Sequence, residues 1–189
     1  CLWLRRAMRE EGKCYKASFY GIESHRCLQM TPTLMCNQRC LHCWRPVEVD
    51  APAPEEWDFP SEIVGSCIKS QRKLISGFGN ADHRELWLEG NEPRHVAISL
   101  SGEPTMYPYL AELVEEFKNH GLTTFVVTNG TNPEMMRRIN PSQLYMSLDA
   151  PDEETYNKVC RPRSTQLWNK LNESLEVLRG KDTRTVIRI

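Results

Sequence analysis

The chain has 189 residues, 40% hydrophobic and 26% charged, with a formal net charge of −1. These values suit one domain, or one and a half, with a core of ordinary size, and exclude collagen-like, coiled-coil and wholly disordered classes. The near-neutral balance supplies no global field for nucleic acid or membrane, and no apolar run nears the ~18 residues of a membrane span. Charge is nonetheless uneven. Residues 1–45 hold eight Lys/Arg against three acids, and residues 46–93 hold four against ten. The first segment is therefore the better place for a polyanionic substrate. No signal peptide is legible, and the start on Cys1 rather than Met reads as a piece of something longer. Eight cysteines without a secretory context favour metal or redox chemistry over a disulfide framework.

In chain order, residues 1–45 carry six of the eight cysteines. Residues 46–60, with Pro46, Pro52, Pro54 and Pro60 among acids, predict a loop. A helix is predicted from Ser61, as N-cap, to Ile75, with Ile63, Val64, Cys67, Ile68, Leu74 and Ile75 on its apolar face. Residues 76–93 read as a polar insertion or long connection. A strand–helix rhythm follows: strand 96–100 ending in Gly102-Glu103-Pro104, helix 109–119, strand 123–128, helix 133–139, strand 144–148, helix 165–178, and a strand from 185. This alternation predicts α/β architecture with a parallel sheet, with ligands at the edge where the strands end.

The sharpest feature is Cys36-Asn37-Gln38-Arg39-Cys40-Leu41-His42-Cys43. Three thiols within eight residues can converge on one metal centre. Three ligands to a [4Fe–4S] cube leave one iron open for a small molecule. A zinc site, with His42 as fourth ligand, is the other reading of the spacing. Cys1, Cys14 and Cys27 stand at two intervals of thirteen, which returns to no common helix face, so they must converge through folding. Cys67 and Cys160 read as buried thiols on helical segments.

The three-cysteine loop resembles the Cys-x3-Cys-x2-Cys motif of radical S-adenosylmethionine (SAM) enzymes, with Met30-Thr31-Pro32-Thr33 before it as the end of a first strand. Gly102-Glu103-Pro104 resembles that superfamily's second motif. Cys14-Tyr15-Lys16, Thr128-Asn129-Gly130 and Ser147-Leu148-Asp149-Ala150-Pro151, with the thirteen-residue spacings, resemble the 4-demethylwyosine synthases of wybutosine biosynthesis. The resemblance implies a partial (βα) radical-SAM barrel, an incomplete TIM-like barrel, in residues 28–189, truncated in or after its fifth strand. Residues 1–27 would be an N-terminal, cysteine-bearing extension.

The resemblance further implies that Cys36, Cys40 and Cys43 hold a SAM-binding [4Fe–4S] cluster. Gly102 and Glu103 would meet the SAM amino group, and Thr128, Asn129, Ser147 and Asp149 its ribose or methionine. Cys1, Cys14 and Cys27 would hold a second [4Fe–4S] cluster, and Lys16 would form a Schiff base with pyruvate. A 5′-deoxyadenosyl radical would then start condensation of pyruvate carbons with N1-methylguanosine-37 in the anticodon region of tRNA-Phe. FMN is implied only in an upstream domain of eukaryotic members, so an external electron donor is expected, as is a cytoplasmic location without membrane attachment. Arg5, Arg6, Arg9, Lys13 and Arg26 are candidates to depress the Lys16 pKa or to contact tRNA phosphates. For Tyr15 and Trp44, core packing is the first expectation and base stacking the second. Two alternatives remain at this stage: another two-cluster tRNA-modifying enzyme such as a methylthiotransferase, and an inactive truncated paralogue acting as a metal-binding module.

Overall fold

The computed structural model describes residues 1–45, 51–79 and 81–189. Five strands form one all-parallel sheet in sequential order: β1 (Cys27–Met30), β2 (His95–Ile98), β3 (Thr123–Thr128), β4 (Gln143–Ser147) and β5 (Arg184–Arg188). Helices alternate with them. Ahead of β1 lie α1 (Leu2–Met8) and α2 (Tyr15–Tyr20); α3 (Pro60–Ile75) and α4 (Arg84–Gly90) separate β1 from β2. Next come α5 (Leu110–Asn119) after β2, α6 (Pro133–Arg138) after β3, and α7 (Glu153–Val159) with α8 (Leu167–Arg179) after β4. This is the α/β architecture with a parallel sheet that the strand–helix rhythm predicts, and the partial barrel that the resemblance implies.

Alternation along the strands divides the core. Leu28, Met30, Val96, Ile98, Val126, Leu144 and Met146 face outward and pack on Val64 of α3, on Leu110, Leu113, Val114 and Phe117 of α5, and on Leu167 and Leu171 of α8. The opposite set, Ala97, Phe125 and Tyr145 with Cys27, Val127 and Val186, lines the inner face. There Ile22, Ala17 and Tyr20 close over it, so the segment around α2 plugs the inside of the half-barrel.

Several local expectations are corrected. The helix after the proline-rich stretch starts at Pro60 with Phe59 as N-cap, not at Ser61. Proline fits the first turn because its missing N–H has no partner there anyway, and Glu62 accepts from the Phe59 N–H at 3.2 Å. Residues 46–50 of the expected loop lie outside the described residues, as does residue 80. The expected connection 76–93 contains α4, whose Leu86 and Trp87 pack with Phe78 against Leu4, Met8 and Ile75. Cys67 is half-buried rather than buried, and Cys160 caps the end of α7 with 1% of its surface exposed. Among the described residues no helix is long and apolar enough to cross a membrane.

Candidate active site

The strand ends of β1 to β4 carry the three-cysteine loop. Its seat is built from backbone. Gly102 adopts φ +69°, a conformation that L side chains rarely take. A Cβ there would overlap the Thr33 carbonyl oxygen and sit 2.8 Å from that of Met35. Without one, Glu103 donates its N–H to the Met35 carbonyl at 2.7 Å, and the loop rests directly on the turn after β2.

The Glu103 side chain is 2% exposed and accepts four hydrogen bonds. They come from the Thr105 N–H (3.0 Å) and hydroxyl (2.6 Å), the Thr128 hydroxyl (2.6 Å) and the Asn129 N–H (2.7 Å). Burial pushes its carboxyl pKa up, and those donors pull the other way. Thr128 is buried, and its hydroxyl also accepts from the Gly130 N–H at 3.1 Å. The Asn129 amide donates to Asn37 Oδ1 (2.9 Å) and accepts from the Thr131 hydroxyl (2.6 Å), while Asn37 donates to Thr131 (2.8 Å). These side chains therefore tie the end of β3 to the cysteine loop. Ser147, half-buried, closes the inner face of β4 opposite Arg188 of β5. Asp149 stands 3.8 Å from His42 Nε2 beside a cavity of about 550 Å³ lined by both, by Leu148 and by Ile189.

The far side of the loop is held by the segment after α7. Gln38 bridges Pro162 in antiparallel fashion. Arg39 donates its N–H to the carbonyls of Cys160 (3.0 Å) and Arg161 (3.2 Å), Leu41 to Val159 (2.8 Å), and Arg163 to Asn37 (3.0 Å). Gln38 is 2% exposed, donates to Tyr156 Oη at 2.6 Å and accepts from Cys40 Sγ at 3.3 Å. Cys36, Cys40 and Cys43 are each half-buried. Burial pushes the Cys36 thiol up to about 11. A hydrogen bond with the Cys160 side chain, then burial, drives the Cys40 thiol far higher.

The second constellation meets inside the half-barrel. Cys1, Cys14, Cys27 and Lys16 line one cavity of about 340 Å³, together with Gln29, Ser99, Val127 and Arg188 from the inner faces of β1, β2, β3 and β5 or just beyond them. Cys14 caps the start of α2, donating its N–H to Ser24 Oγ at 3.0 Å. Cys27 opens β1, and burial pushes its thiol up to about 11. Lys16 is 6% exposed, with Nζ 4.8 Å from the Phe125 ring centroid and 5.5 Å from that of Tyr145. Its pKa is lowered, chiefly by burial, against the opposing pull of the Cys27 and Cys14 thiols.

Some expected partners are elsewhere. Arg26 is 7% exposed and spent on Glu23 (3.6 Å) and the Glu92 carbonyl (3.1 Å), while Arg5 and Arg6 of α1 and Arg9 just after it are exposed. The cation that acts on Lys16 is instead Arg188, which the sequence reading missed. Its signal was available: Arg188 follows Val186 at the two-residue interval of the inner face. Core packing of Trp44 and Tyr15 is overturned as well. Trp44 is 74% exposed beyond Cys43, and Tyr15 is 49% exposed with its ring edge-on to Phe19.

Comparison with known proteins gives this geometry a context. The Radical SAM superfamily model matches residues 30–189. The S-adenosyl-L-methionine-dependent tRNA 4-demethylwyosine synthase of Pyrococcus abyssi is 49% identical over this whole chain, which spans 58% of its length. The mouse protein of that name is 39% identical, again over the whole chain, which spans 27% of it. The structure of TYW1 with a lysine-pyruvate adduct bound superposes with TM-score 0.91 at 42% identity, covering all of this chain and 63% of that one. The crystal structure of archaeal TYW1 gives 0.84 at 39% identity, with the same coverage.

The superfamily implies SAM and a [4Fe–4S] cluster, and the donor set fits. A tetrahedral zinc ion with Zn–S bonds of ~2.3 Å needs sulfurs roughly 3.8 Å apart. Among the described residues, the sulfurs of neither cysteine triad all lie within 4.8 Å of one another. Glu23, His25 and Glu89 do, but Glu23 is engaged by Arg26 and Arg94, and His25 pairs with Glu89 at 2.6 Å. Three thiols seated on a parallel sheet's strand ends, a glycine that admits their loop and a match over 30–189 lead to one conclusion: this chain belongs to the radical SAM superfamily.

Proposed function

We propose that this chain carries the chemistry of a 4-demethylwyosine synthase, joining pyruvate carbons to N1-methylguanosine-37 of tRNA-Phe. One observation carries the reading: Cys1, Cys14, Cys27 and Lys16 share a single cavity inside the half-barrel. The similarity over the whole chain supports it. Residues 1–27 form the extension that brings Cys1, Cys14 and Lys16 there, and residues 28–189 form the core.

In this reading Cys36, Cys40 and Cys43 hold a [4Fe–4S] cluster, and Cys1, Cys14 and Cys27 hold a second. When bound, the first cluster and SAM supply a 5′-deoxyadenosyl radical, using an electron from an external donor. Gly102 and Glu103 position the loop beside the SAM amino group. Thr128 and Asn129 fix the end of β3 against it, and Ser147 and Asp149 face the rest of the cofactor. Lys16 acts as a nucleophile. Burial favours its neutral amine, which adds to the ketone carbon of pyruvate. Loss of water then leaves an imine on Nζ. The Phe125 and Tyr145 rings hold the side chain beneath the cavity. Exposed Trp44, with the arginines of the loop and of α1, offers a surface for the anticodon region. The setting is the cytoplasm.

The test is iron and acid-labile sulfide per chain after anaerobic reconstitution, beside a Cys1→Ala, Cys14→Ala, Cys27→Ala triple variant. Two cubes predict about eight irons, falling to about four in the variant. About four in both proteins would remove the pyruvate chemistry from its site. Ring formation from SAM, pyruvate and N1-methylguanosine tRNA completes the assay.

A further inference from the structure

Arg188 is a cation to which the chemistry above gives no task. It lies on β5, two residues after Val186, which packs on the inner face with Tyr145. Val186 is in register with Tyr145 and Arg188 with Ser147, so alternation turns Arg188 to that same face. Its carbonyl accepts the Leu148 N–H at 2.8 Å, which fixes the strand there. Arg188 lines the cavity of about 340 Å³ that also holds Lys16, Cys1, Cys14 and Cys27. Its charge acts on both Lys16 and Tyr15, two other residues of that lining, which agrees with a guanidinium on the cavity side of β5.

The charge balance of this cavity is one-sided. Lys16 and Arg188 line it, and among the described residues no Asp or Glu does. Among the described residues, no carboxylate pairs with Arg188 either. Lys16 is buried and Arg188 exposed, so one cation lies at the floor and the other toward solvent. Once Lys16 has given up its proton to act as a nucleophile, Arg188 is the side-chain cation that remains in the lining. The strand residues Gln29, Ser99 and Val127 add no charge. In pyruvate the carboxylate is bonded directly to the ketone carbon that Lys16 attacks. A ketone held at Nζ therefore brings its carboxylate into the same small cavity. A guanidinium offers a carboxylate two parallel N–H donors and stays charged at any pH at which a lysine is neutral.

We propose that Arg188 is the specificity-determining residue of the Lys16 cavity: its guanidinium holds the carboxylate of the α-keto acid whose ketone carbon Lys16 attacks, and so selects an α-keto acid over a neutral ketone. This rests on the reading of Lys16 as the nucleophile that takes pyruvate.

The experiment is trapping with cyanoborohydride, which spares free ketones, on the reconstituted full chain, followed by intact-mass spectrometry. Pyruvate is compared with pyruvamide, which keeps the ketone and carries a neutral amide in place of the carboxylate. The quantity read is the ratio of the two half-saturating concentrations. Removing Arg188 also lets Lys16 hold its proton more tightly, but this weakens both ketones alike and cancels in the ratio. The parent should prefer pyruvate. Arg188→Met should lower that preference roughly 10- to 150-fold, the worth of a hydrogen bond to a charged group, with about eight irons still loaded. Arg188→Lys, which keeps the charge and loses the fork, should fall between the two. A parent without preference, or an unchanged preference in Arg188→Met, overturns the proposal and leaves the Lys16 adduct intact. Loss of about four irons in Arg188→Met would make Arg188 a support of the second cluster and also overturn it. No adduct from either ketone in the parent overturns the Lys16 reading, and this inference with it.

Discussion

The absent side chain of Gly102 is where the Thr33 carbonyl oxygen approaches: a Cβ would occupy the same space. The positive φ and the close approach act together, and the neighbour is backbone that cannot turn aside. Gly102→Ala is therefore expected to cost more than the ~1 kcal/mol of a left-handed non-glycine residue, because the Thr33–Met35 segment must also move. Thermal unfolding should show a fall of several degrees. Iron uptake by Cys36, Cys40 and Cys43 should fall with it, since that loop begins where the clash occurs. Full iron loading in a stable variant would count against this account.

Lys16 gives a covalent signature. Borohydride should reduce an imine between Lys16 Nζ and pyruvate to a stable secondary amine, and intact-mass spectrometry should find one reduced pyruvate per chain, located to Lys16 by peptide mapping. Lys16→Ala and Lys16→Arg should both lose the adduct while keeping both sets of iron. An arginine retains charge but does not form the imine, so adduct formation in that variant would place the nucleophile elsewhere. The reaction should strengthen as pH rises through the lowered pKa of Lys16, where the amine becomes neutral.

His95 ties the fold to pH. Its Nε2 accepts the Glu23 N–H at 3.2 Å, so the ring proton sits on Nδ1, facing Thr123 Oγ1 at 2.6 Å. Burial, foremost, holds the pKa below its ordinary 6.5. Below that value the unfolded chain binds the proton that the folded chain resists. Stability from this group is therefore present above about 6.5 and drains away as pH falls through the lower folded value. The melting temperature should drop from pH 7 to pH 5 more steeply in the parent than in His95→Gln, whose Oε1 can still accept from Glu23. Parallel profiles would refute the linkage.

Trp44 is 74% exposed, so truncating it removes little buried area. Trp44→Ala should leave the melting temperature within about a degree. If Trp44 stacks on a base, a loss of ~1–3 kcal/mol weakens tRNA binding by roughly 5- to 150-fold. Filter binding or anisotropy with N1-methylguanosine tRNA reads this directly. An unchanged affinity would take Trp44 out of the interface.

Much of this was legible before any fold was drawn. Strand 123–128 is observed at the residues its β-branched run marks, and Leu110, Leu113, Val114 and Phe117 bury the face that their spacing predicts. The Cys36–Cys43 spacing and Gly102-Glu103-Pro104 carry the resemblance to the radical SAM superfamily, because a short motif is a local property of the chain. Helices α1, α2, α4 and α7 were missed for the complementary reason. At six or seven residues they span about two turns, too few for a hydrophobic period to emerge, and packing rather than propensity sustains them.

What only the tertiary structure decided depends on register and on which face each residue occupies. The intervals of thirteen show that Cys1, Cys14 and Cys27 share no helix stripe, but not that they meet beside Arg188, more than 160 residues away from Cys14 and Cys27 along the chain. Lys16 stands out in the sequence only through the resemblance; the tertiary structure decided that α2 plugs the inner face and that burial, rather than the arginines near it in sequence, shifts its proton affinity. Cys160 reads as one more core thiol until the 37–41 and 159–163 segments meet, where its carbonyl accepts from the Arg39 N–H. Sequence carries periodicity and local spacing. Contacts across more than a hundred residues exist only once a sheet has aligned its strand ends.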